Sequence, residues 1–183
     1  VTADFDKDGD IDIAGVGFET DIVIIENEGD LMSTDTILRH HYHPAAHLAV
    51  RWSQDLKLLD HNNDGHLDLI ASSDSGIMVL TGMEGMQFSS VSQTLEGSPV
   101  FPATSLALAD FDDDGEQDVA VSCQILSCIT ILTTGDNGLR AAAVSVDVPA
   151  GEFLATGDLD GDGQPDLVGS GDVLWTALSS RPG

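Results

Sequence analysis

The stretch DFDKDGDID, residues 4–12, places five aspartates within nine residues and runs directly into the apolar segment IAGVG. Carboxylates this close together repel one another, so the stretch is either a solvated acidic loop or a binding site for a cation. The pattern D-x-[DN]-x-D-G-x-x-D returns three times, as DHNNDGHLD at 60–68, DFDDDGEQD at 110–118 and DLDGDGQPD at 158–166. Successive copies begin 56, 50 and 48 residues apart, which indicates a repeat architecture. The four stretches are called loops 1 to 4 below, and their residues positions 1 to 9.

Short apolar segments flank every loop. Before loops 2, 3 and 4 apolar residues alternate along the chain, and after each loop come IDIAGVG, LDLIASS, QDVAVSC or PDLVGSG. A third segment follows in each unit (DIVIIE, GIMVLTG, CITILTTG, DVLWTAL), and a weaker fourth lies near TDTILRHH, SSVSQTL and AAAVSVDV. Segments of this length, rich in Val, Ile, Leu and Thr and bounded by Gly, Asp and Ser, predict β-strands. Each loop therefore joins the first strand of its unit to the second.

An antiparallel unit of four strands, repeated about every 50 residues, is typical of a β-propeller blade. We predict an all-β fold, a β-propeller of four-stranded antiparallel blades, as a single region over residues 1–183. Its repeats lie at approximately 1–48, 49–98, 99–149 and 150–183. The first strand is reduced to residues 1–3 and the last unit has no evident fourth strand, so about three and a half to four blades are expected. A small four-bladed ring, part of a larger propeller and a piece whose open edges meet another chain all remain open, and we favour a fragment or an assembled piece.

The composition limits the partners. The chain has 6 basic and 32 acidic residues and a formal charge of −26, so nucleic acid and anionic membranes, which carry the same sign, are not expected to bind. The sequence has no run of 18 apolar residues, and no membrane span is predicted. An apolar content of 42% favours a folded chain despite the charge.

The repeat units resemble the FG-GAP/VCBS-type repeats of integrin α-subunit-like propellers, in which D-x-D-x-D-G-x-x-D loops bind calcium. The resemblance covers almost the whole chain. The phenylalanine-glycine and glycine-alanine-proline signatures of that family are not evident, which places the chain nearer to the bacterial-type repeats than to integrins. The resemblance implies up to four Ca²⁺ ions as cofactors.

The chemistry of the loops agrees with that implication, because calcium takes six to eight oxygen ligands in a flexible shell. Positions 1, 3, 5 and 9 would supply side chains and position 7 a backbone carbonyl. The predicted side-chain ligands are Asp4, Asp6, Asp8, Asp12, Asp60, Asn62, Asp64, Asp68, Asp110, Asp112, Asp114, Asp118, Asp158, Asp160, Asp162 and Asp166, and the predicted carbonyl ligands belong to Asp10, His66, Glu116 and Gln164. An EF-hand would need a Glu at position 12, where this chain has Gly15, Ala71, Val121 and Gly169. A strand–loop–strand site is therefore predicted, with calcium in a mainly structural role and a regulatory or ligand-bridging role as the alternative.

Three further features carry weaker predictions. Cys123 and Cys128 lie between two strand-like segments, where they predict a disulfide across a hairpin or a pair of reduced, half-buried thiols. The segment RHHYHPAAH predicts either a transition-metal site at His41, His43 and His47 or a polar connection between units. Trp52, Trp175 and Tyr42 are expected to serve packing, with a sugar-stacking platform as the alternative.

The sequence contains no convincing catalytic motif, so a non-catalytic protein is expected. The leading hypothesis is an extracellular, secreted, cell-surface or periplasmic propeller module for protein or glycan binding or adhesion. Extracellular calcium modules bind at roughly 10⁻⁴ to 10⁻³ M, which favours the cell exterior. The alternatives are an accessory subunit of a larger extracellular or envelope assembly, with a partner chain completing the propeller, and the scaffold of a polysaccharide-degrading enzyme.

Overall fold

Strands form all the regular structure in the part of the chain that the computed structural model describes, namely residues 1–16, 22–27, 37–42, 55–73, 76–91, 102–123, 128–135, 138–147, 151–171 and 173–179. These residues contain fifteen strands in four antiparallel sheets, and each sheet consists of strands consecutive in the chain. The prediction of an all-β chain of small antiparallel units is confirmed. Since the described residues form no helix, none of them supplies an apolar helix long enough to cross a membrane.

Each sheet contains one acidic loop, placed between its first and second strands as predicted. The first sheet comprises β1 (Thr2–Ala3), β2 (Asp12–Val16), β3 (Ile22–Asn27) and β4 (Ile37–Tyr42). The second comprises β5 (Leu56–Leu59), β6 (Asp68–Ser73), β7 (Gly76–Met83) and β8 (Gln87–Val91). The third comprises β9 (Ala103–Ala109), β10 (Asp118–Cys123), β11 (Cys128–Thr133) and β12 (Arg140–Asp147). The fourth comprises β13 (Gly151–Gly157), β14 (Asp166–Gly171) and β15 (Leu174–Ala177).

The core lies between consecutive sheets, in three hydrophobic clusters. The first cluster joins sheets one and two through Ala14, Ile22, Ile24, Leu69, Ala71 and Leu80. The second joins sheets two and three through Ile70, Val79, Val119, Val121 and Leu132, and the third joins sheets three and four through Ala120, Ile129, Leu167 and Trp175. Because both of their faces are covered, β6 and β10 are buried at all six residues. Sheets packed face to face in chain order are consistent with propeller blades, and the closure of a ring stays a prediction.

The second strand of each sheet follows one rule of orientation. The two residues at positions 10 and 12, counted on from the loop, face the preceding sheet, and the residue at position 11 faces the following sheet. In β6 these are Leu69 and Ala71 against sheet one and Ile70 against sheet three. In β10, likewise, Val119 and Val121 face sheet two, whereas Ala120 faces sheet four.

Side-chain oxygens connect the first strands of neighbouring sheets. Asp55, directly before β5, accepts hydrogen bonds at Oδ2 from the backbone N–H of Leu106 (2.9 Å) and from the Ser105 hydroxyl (3.1 Å). The Ser105 oxygen accepts in turn from the backbone N–H of Leu154 at 3.0 Å. Asp55 and Ser105 both stand five residues before the first aspartate of their loops. This repeated contact, called the oxygen clasp below, ties β5 to β9 and β9 to β13.

Candidate metal-binding loops

The four loops share a hydrogen-bond pattern that turns their carboxylates inwards. At position 1, one carboxylate oxygen accepts from the N–H of the glycine at position 6 in every loop, over 3.0, 2.7, 2.8 and 3.0 Å. The oxygen at position 3 accepts from the N–H of position 5 over 3.1 to 3.2 Å. The carboxylate at position 5 accepts from the N–H of position 7 at 2.8 Å in all four loops. Short polar side chains often stabilise turns by bonding to the backbone in this way.

Two positions of each loop have left-handed backbone. The glycine expected at position 6 has φ between 83° and 103° in all four loops, a region that residues with a Cβ rarely adopt. Position 4 also has positive φ, at Lys7 (65°), Asn63 (56°), Asp113 (66°) and Gly161 (82°). The sequence analysis missed this second position. Asn, Asp and Gly, which favour the left-handed region, occupy it in three loops, and Lys7 obscured the signal.

The ninth-position aspartates (Asp12, Asp68, Asp118 and Asp166) are the most buried residues of the loops, each with no exposed surface. One oxygen of each accepts from the N–H at position 2, over 2.9, 2.8, 2.8 and 2.8 Å. The other accepts from an N–H at or near the end of the third strand, donated by Asn27, Gly82, Thr134 and Ser179 respectively. The ninth aspartate therefore fastens the loop to the third strand as well as to the second.

Carboxylate oxygens converge in three of the loops. The groups Asp4–Asp6–Asp8, Asp110–Asp112–Asp118 and Asp158–Asp160–Asp166 each offer three ligand atoms within 4.8 Å of one another. Loop 2 carries an amide at position 3, and Asn62 Nδ2 donates to Asp64 Oδ2 at 2.9 Å. All donors in these groups are hard oxygens, which suits calcium better than a transition metal. The carbonyl ligands predicted at position 7 stay a prediction.

The charges within the loops shift several pKa values. Burial, together with repulsion from neighbouring carboxylates, raises the pKa of Asp6 and of Asp112. In loop 2 the pKa of Asp64 is lowered, because hydrogen bonds from the His66 N–H and the Asn62 amide outweigh desolvation. Burial raises the pKa of Asp118, whereas the N–H groups of Leu159 and Ser179 lower that of Asp166. Repulsion raises the free energy of the fully ionised loop, and a bound cation would offset that cost.

Neighbouring loops touch through position 4. Lys7 Nζ donates to the carbonyl of Gly65 in loop 2 at 2.8 Å, and Asn63 Nδ2 donates to Glu116 Oε1 in loop 3. Between loops 3 and 4 lies a pocket of about 310 Å³, lined by Ala109, Asp110, Asp113, Thr156, Gly157, Asp158, Gly163, Gln164 and Pro165. The contacts place loops 1, 2 and 3 side by side, and the pocket is an opening between loops 3 and 4.

The other predicted site residues are only partly covered by the structure. Cys123 and Cys128 are cross-strand partners in the β10–β11 ladder; both are buried and no disulfide joins them in the structure, so the bridge stays a prediction. His41 lies on β4, and His43, His47 and Trp52 lie outside the described residues. Trp175 packs against sheet three, as expected, and its ring lies so close to Gly169 that a Cβ there would be 2.0 Å from it.

Comparison with known proteins identifies the repeat. The family model described as FG-GAP-like repeat matches residues 60–121, from the first aspartate of loop 2 to the middle of β10. Residues 60–121 carry an FG-GAP-like repeat. Loops 1 and 4 lie outside the matched residues and share the hydrogen bonds of loops 2 and 3 at positions 1, 3, 5 and 9.

Solved structures add a relative of the same fold. The chain is similar to a solved structure of a lectin from Agrocybe aegerita, with 21% identity and a TM-score of 0.60. That structure is described as the basis of specific recognition of non-reducing terminal N-acetylglucosamine by the lectin. The match covers 92% of this chain and 46% of that one, so the chain spans about half the length of the lectin. No curated protein matches the sequence.

Proposed function

We propose that this FG-GAP-like chain is a calcium-stabilised, non-catalytic binding module of the β-propeller type that works outside the cell or in the periplasm. The observation that carries the proposal is the convergence of three carboxylates within 4.8 Å in loops 1, 3 and 4. The loop backbone holds these carboxylates by the same hydrogen bonds in each copy. An acidic turn that only faced solvent would not require this fixed geometry.

The loops supply the ligands, and the ninth aspartate connects them to the sheet. Side chains at positions 1, 3, 5 and 9 would hold Ca²⁺, with the carbonyl at position 7 as a further ligand. When bound, the ion supplies positive charge that offsets the repulsion among these carboxylates. A site that binds only in the folded state, with a dissociation constant of roughly 10⁻⁴ to 10⁻³ M, adds about 0.4 to 1.4 kcal/mol of stability at about 1 mM calcium. At the millimolar affinities usual for extracellular modules, this stabilisation would operate only where calcium is abundant.

Calorimetric titration and thermal unfolding test the metal site. Excess chelator should lower the melting temperature, and millimolar calcium should restore it. Asp112→Asn, which removes an exposed carboxylate of loop 3, should reduce the number of ions bound by about one. Asp113→Asn makes the same charge change at the adjacent position 4, outside the proposed ligands, and should leave the number unchanged. Equal melting temperatures in calcium and chelator would contradict the proposal.

A glycan is the ligand class that we propose for the module. Two observations support this choice: the lectin similarity in fold, and the pocket between loops 3 and 4, which combines carboxylate, hydroxyl and amide groups with two apolar side chains. Sugar hydroxyl groups donate to carboxylates and exchange hydrogen bonds with amides. Asp113 and Gln164 are the side chains best placed for this role, because both line the pocket from opposite loops.

Binding to a glycan array in calcium tests this ligand. Gln164→Ala should weaken binding by about tenfold, as expected when a hydrogen bond of about 1.4 kcal/mol is lost. Gln87→Ala, an exposed amide on β8, is the matched control and should bind normally. The bound glycans should be recovered without cleavage. Unchanged binding by the Gln164→Ala variant would show that the glycan binds outside this pocket. Cleavage of the bound glycans would favour the polysaccharide-degrading alternative.

A further inference from the structure

Loop 2 is the least acidic of the four loops. Loop 3 contains six acidic residues, loop 1 five and loop 4 four, whereas loop 2 contains three. At position 3, where the other loops have aspartate, loop 2 has Asn62. The affinity of a protein site for calcium depends on the number of charged ligands and on the rigidity of the site. On charge alone, loop 2 should therefore bind calcium more weakly than its three counterparts.

The amide of Asn62 also changes the hydrogen bonds inside loop 2. Its oxygen accepts from the Asp64 N–H at 3.1 Å, as the position-3 oxygen does in the other loops. Its nitrogen donates to Asp64 Oδ2 at 2.9 Å, while Asp64 Oδ1 accepts from the His66 N–H at 2.8 Å. Both oxygens of this predicted ligand are thus hydrogen-bonded within the loop. A calcium ion that binds Asp64 Oδ2 competes with the amide for that oxygen.

Position 2 of loop 2 adds a hydrogen-bond donor that the other loops lack. The His61 side chain is buried, and its ring Nδ1 bonds to Asp68 Oδ2. Because an ionised carboxylate only accepts, Nδ1 carries the proton. The same Oδ2 accepts from the His61 backbone N–H at 2.8 Å, so two donors already bind this oxygen. Position 2 of loops 1, 3 and 4 is Phe5, Phe111 and Leu159, whose side chains have no group that can donate.

A cation of the protein itself reaches loop 2. Lys7, at position 4 of loop 1, donates from Nζ to the Gly65 carbonyl at 2.8 Å. An ammonium group this close to the loop offsets part of the repulsion among Asp60, Asp64 and Asp68. The same positive charge repels a second cation, so it reduces the free energy that loop 2 gains when calcium binds.

We propose that loop 2 keeps its shape without metal, through donors on His61, Asn62 and Lys7, and that it is the last of the four loops to fill with calcium. Loops 1, 3 and 4, in which three carboxylates converge, fill at lower calcium concentrations and supply most of the stabilisation by metal. The inference rests on the proposed function, namely that the loops bind calcium, and it adds an order among them. Over the range in which loop 2 exchanges its ion, the chain stays folded.

Four glycines at position 6 allow the loops to be followed one by one. Each donates its N–H to the first aspartate of its own loop, and the four are Gly9, Gly65, Gly115 and Gly163. Their amide resonances in a ¹H–¹⁵N spectrum report each loop while a chelator buffer lowers free calcium stepwise. The Gly65 resonance should change first, at a free calcium concentration about tenfold or more above that for the other three, since charge count sets the affinity. Four resonances that change together would overturn this inference and leave calcium binding intact, whereas no change at all would refute the proposed function as well.

Exchanging residues between loops 2 and 3 tests the cause. His61→Phe together with Asn62→Asp gives loop 2 the residues that loops 1 and 3 have at positions 2 and 3, and should bring the Gly65 change to the concentration of the other loops. Phe111→His together with Asp112→Asn is the reciprocal change and should make loop 3 release calcium as early as loop 2. Circular dichroism checks that both variants fold. An unaltered order in both folded variants would overturn the inference.

Two further comparisons keep the test decisive if an exchanged loop fails to fold. Lys7→Gln retains a donor and removes the charge, so it should delay the release of calcium from loop 2 and leave loops 3 and 4 unchanged. Asp64→Asn and Asp114→Asn remove the position-5 carboxylate of loops 2 and 3 respectively. The rise in melting temperature from chelator to about 1 mM calcium should stay close to wild type in Asp64→Asn and shrink by about a third in Asp114→Asn, which loses one of three tighter sites. Equal losses in the two variants would contradict the proposed order.

Discussion

The ninth-position aspartates have a structural task that the other loop aspartates lack. Each is fully buried, and each accepts backbone hydrogen bonds at both oxygens, from position 2 and from the end of the third strand. The aspartates at positions 3 and 5 are more exposed and accept only from their own loop. Position 9 should therefore be required for folding even without metal, whereas positions 3 and 5 should matter chiefly when metal is bound.

Two substitutions in loop 3 separate these roles. Asp118→Asn turns an amide N–H₂ towards a backbone N–H, so in chelator it should lower the free energy of unfolding by about 1 to 3 kcal/mol. Asp112→Asn removes a charge that neighbouring carboxylates repel, and in chelator it should be neutral or slightly stabilising. Urea denaturation with and without calcium measures both. Equal losses in chelator would show that position 9 has no separate structural role.

Gly82 illustrates a constraint set by the third strand. Its N–H donates to Asp68 at 2.7 Å, and a Cβ at this residue would lie 2.2 Å from the Leu67 carbonyl oxygen. In loops 1 and 3 the corresponding residues, Asn27 and Thr134, also donate their backbone N–H to the ninth aspartate, and their side chains donate a further hydrogen bond to the carbonyl at position 8. Loop 2 therefore approaches its third strand more closely.

Substitution of Gly82 should consequently be costly. Gly82→Ala should destabilise the chain by about 1 to 3 kcal/mol, because the backbone of loop 2 must shift to accept the methyl group. Gly157→Ala is the control, since a Cβ there meets nothing within 4 Å and its φ is not positive. Thermal unfolding compares the two. Equal melting temperatures of the Gly82→Ala and Gly157→Ala variants would mean that the backbone of loop 2 can shift away from residue 82 at little cost in free energy.

At the scale of the strand pair, the cysteines occupy opposite places on β10 and β11. Directly opposed residues of an antiparallel pair have Cα atoms about 4.5 to 5.5 Å apart, within the range that a disulfide spans. Burial and a hydrogen bond with Cys128 raise the pKa of Cys123 to about 12. The folded Cys123 thiol is therefore protonated near neutral pH and should oxidise slowly, since the thiolate is the reactive form.

Refolding in a glutathione redox buffer should produce the bridge that folded, reduced protein forms only slowly. The product should be two mass units lighter and about 2 kcal/mol more stable, the chain-entropy expectation for so short a loop. Denatured thiol titration and mass spectrometry measure the bridge. A Cys123→Ala, Cys128→Ala chain should respond to neither oxidant nor reductant. Two titratable thiols after oxidative refolding would refute the disulfide prediction.

The regular spacing of the loops made the order of elements predictable, because each acidic motif marks the turn between the first two strands. The fourth strands were harder: β8 begins at Gln87, before the segment expected from the sequence. The left-handed position 4 was a local signal that Lys7 obscured, whereas the oxygen clasp and the second bond of the ninth aspartate depend on contacts between segments far apart in the chain. Sequence spacing within one loop carries no information on such contacts.

The charge of the whole molecule is the property that most separates this chain from an ordinary module of its size. At −26, long-range repulsion favours the unfolded chain, in which the charges lie further apart. Four calcium ions would change the net charge to about −18, which reduces the repulsion without removing it. Salt and bound calcium therefore reduce the same electrostatic repulsion among the acidic residues. Each should consequently weaken the stabilising effect of the other.

The melting temperature in chelator should therefore rise as sodium chloride increases from about 0.01 to 0.3 M, over which the Debye length falls from about 30 Å to well below 10 Å. In saturating calcium the same series should give a shallower rise, because fewer net charges remain and the closest carboxylates are already neutralised. Differential scanning fluorimetry gives both slopes, and equal molar amounts of sucrose control for solute effects that do not involve charge. A chelator slope no steeper than the calcium slope would mean that repulsion within the loops contributes little to the instability of the metal-free chain.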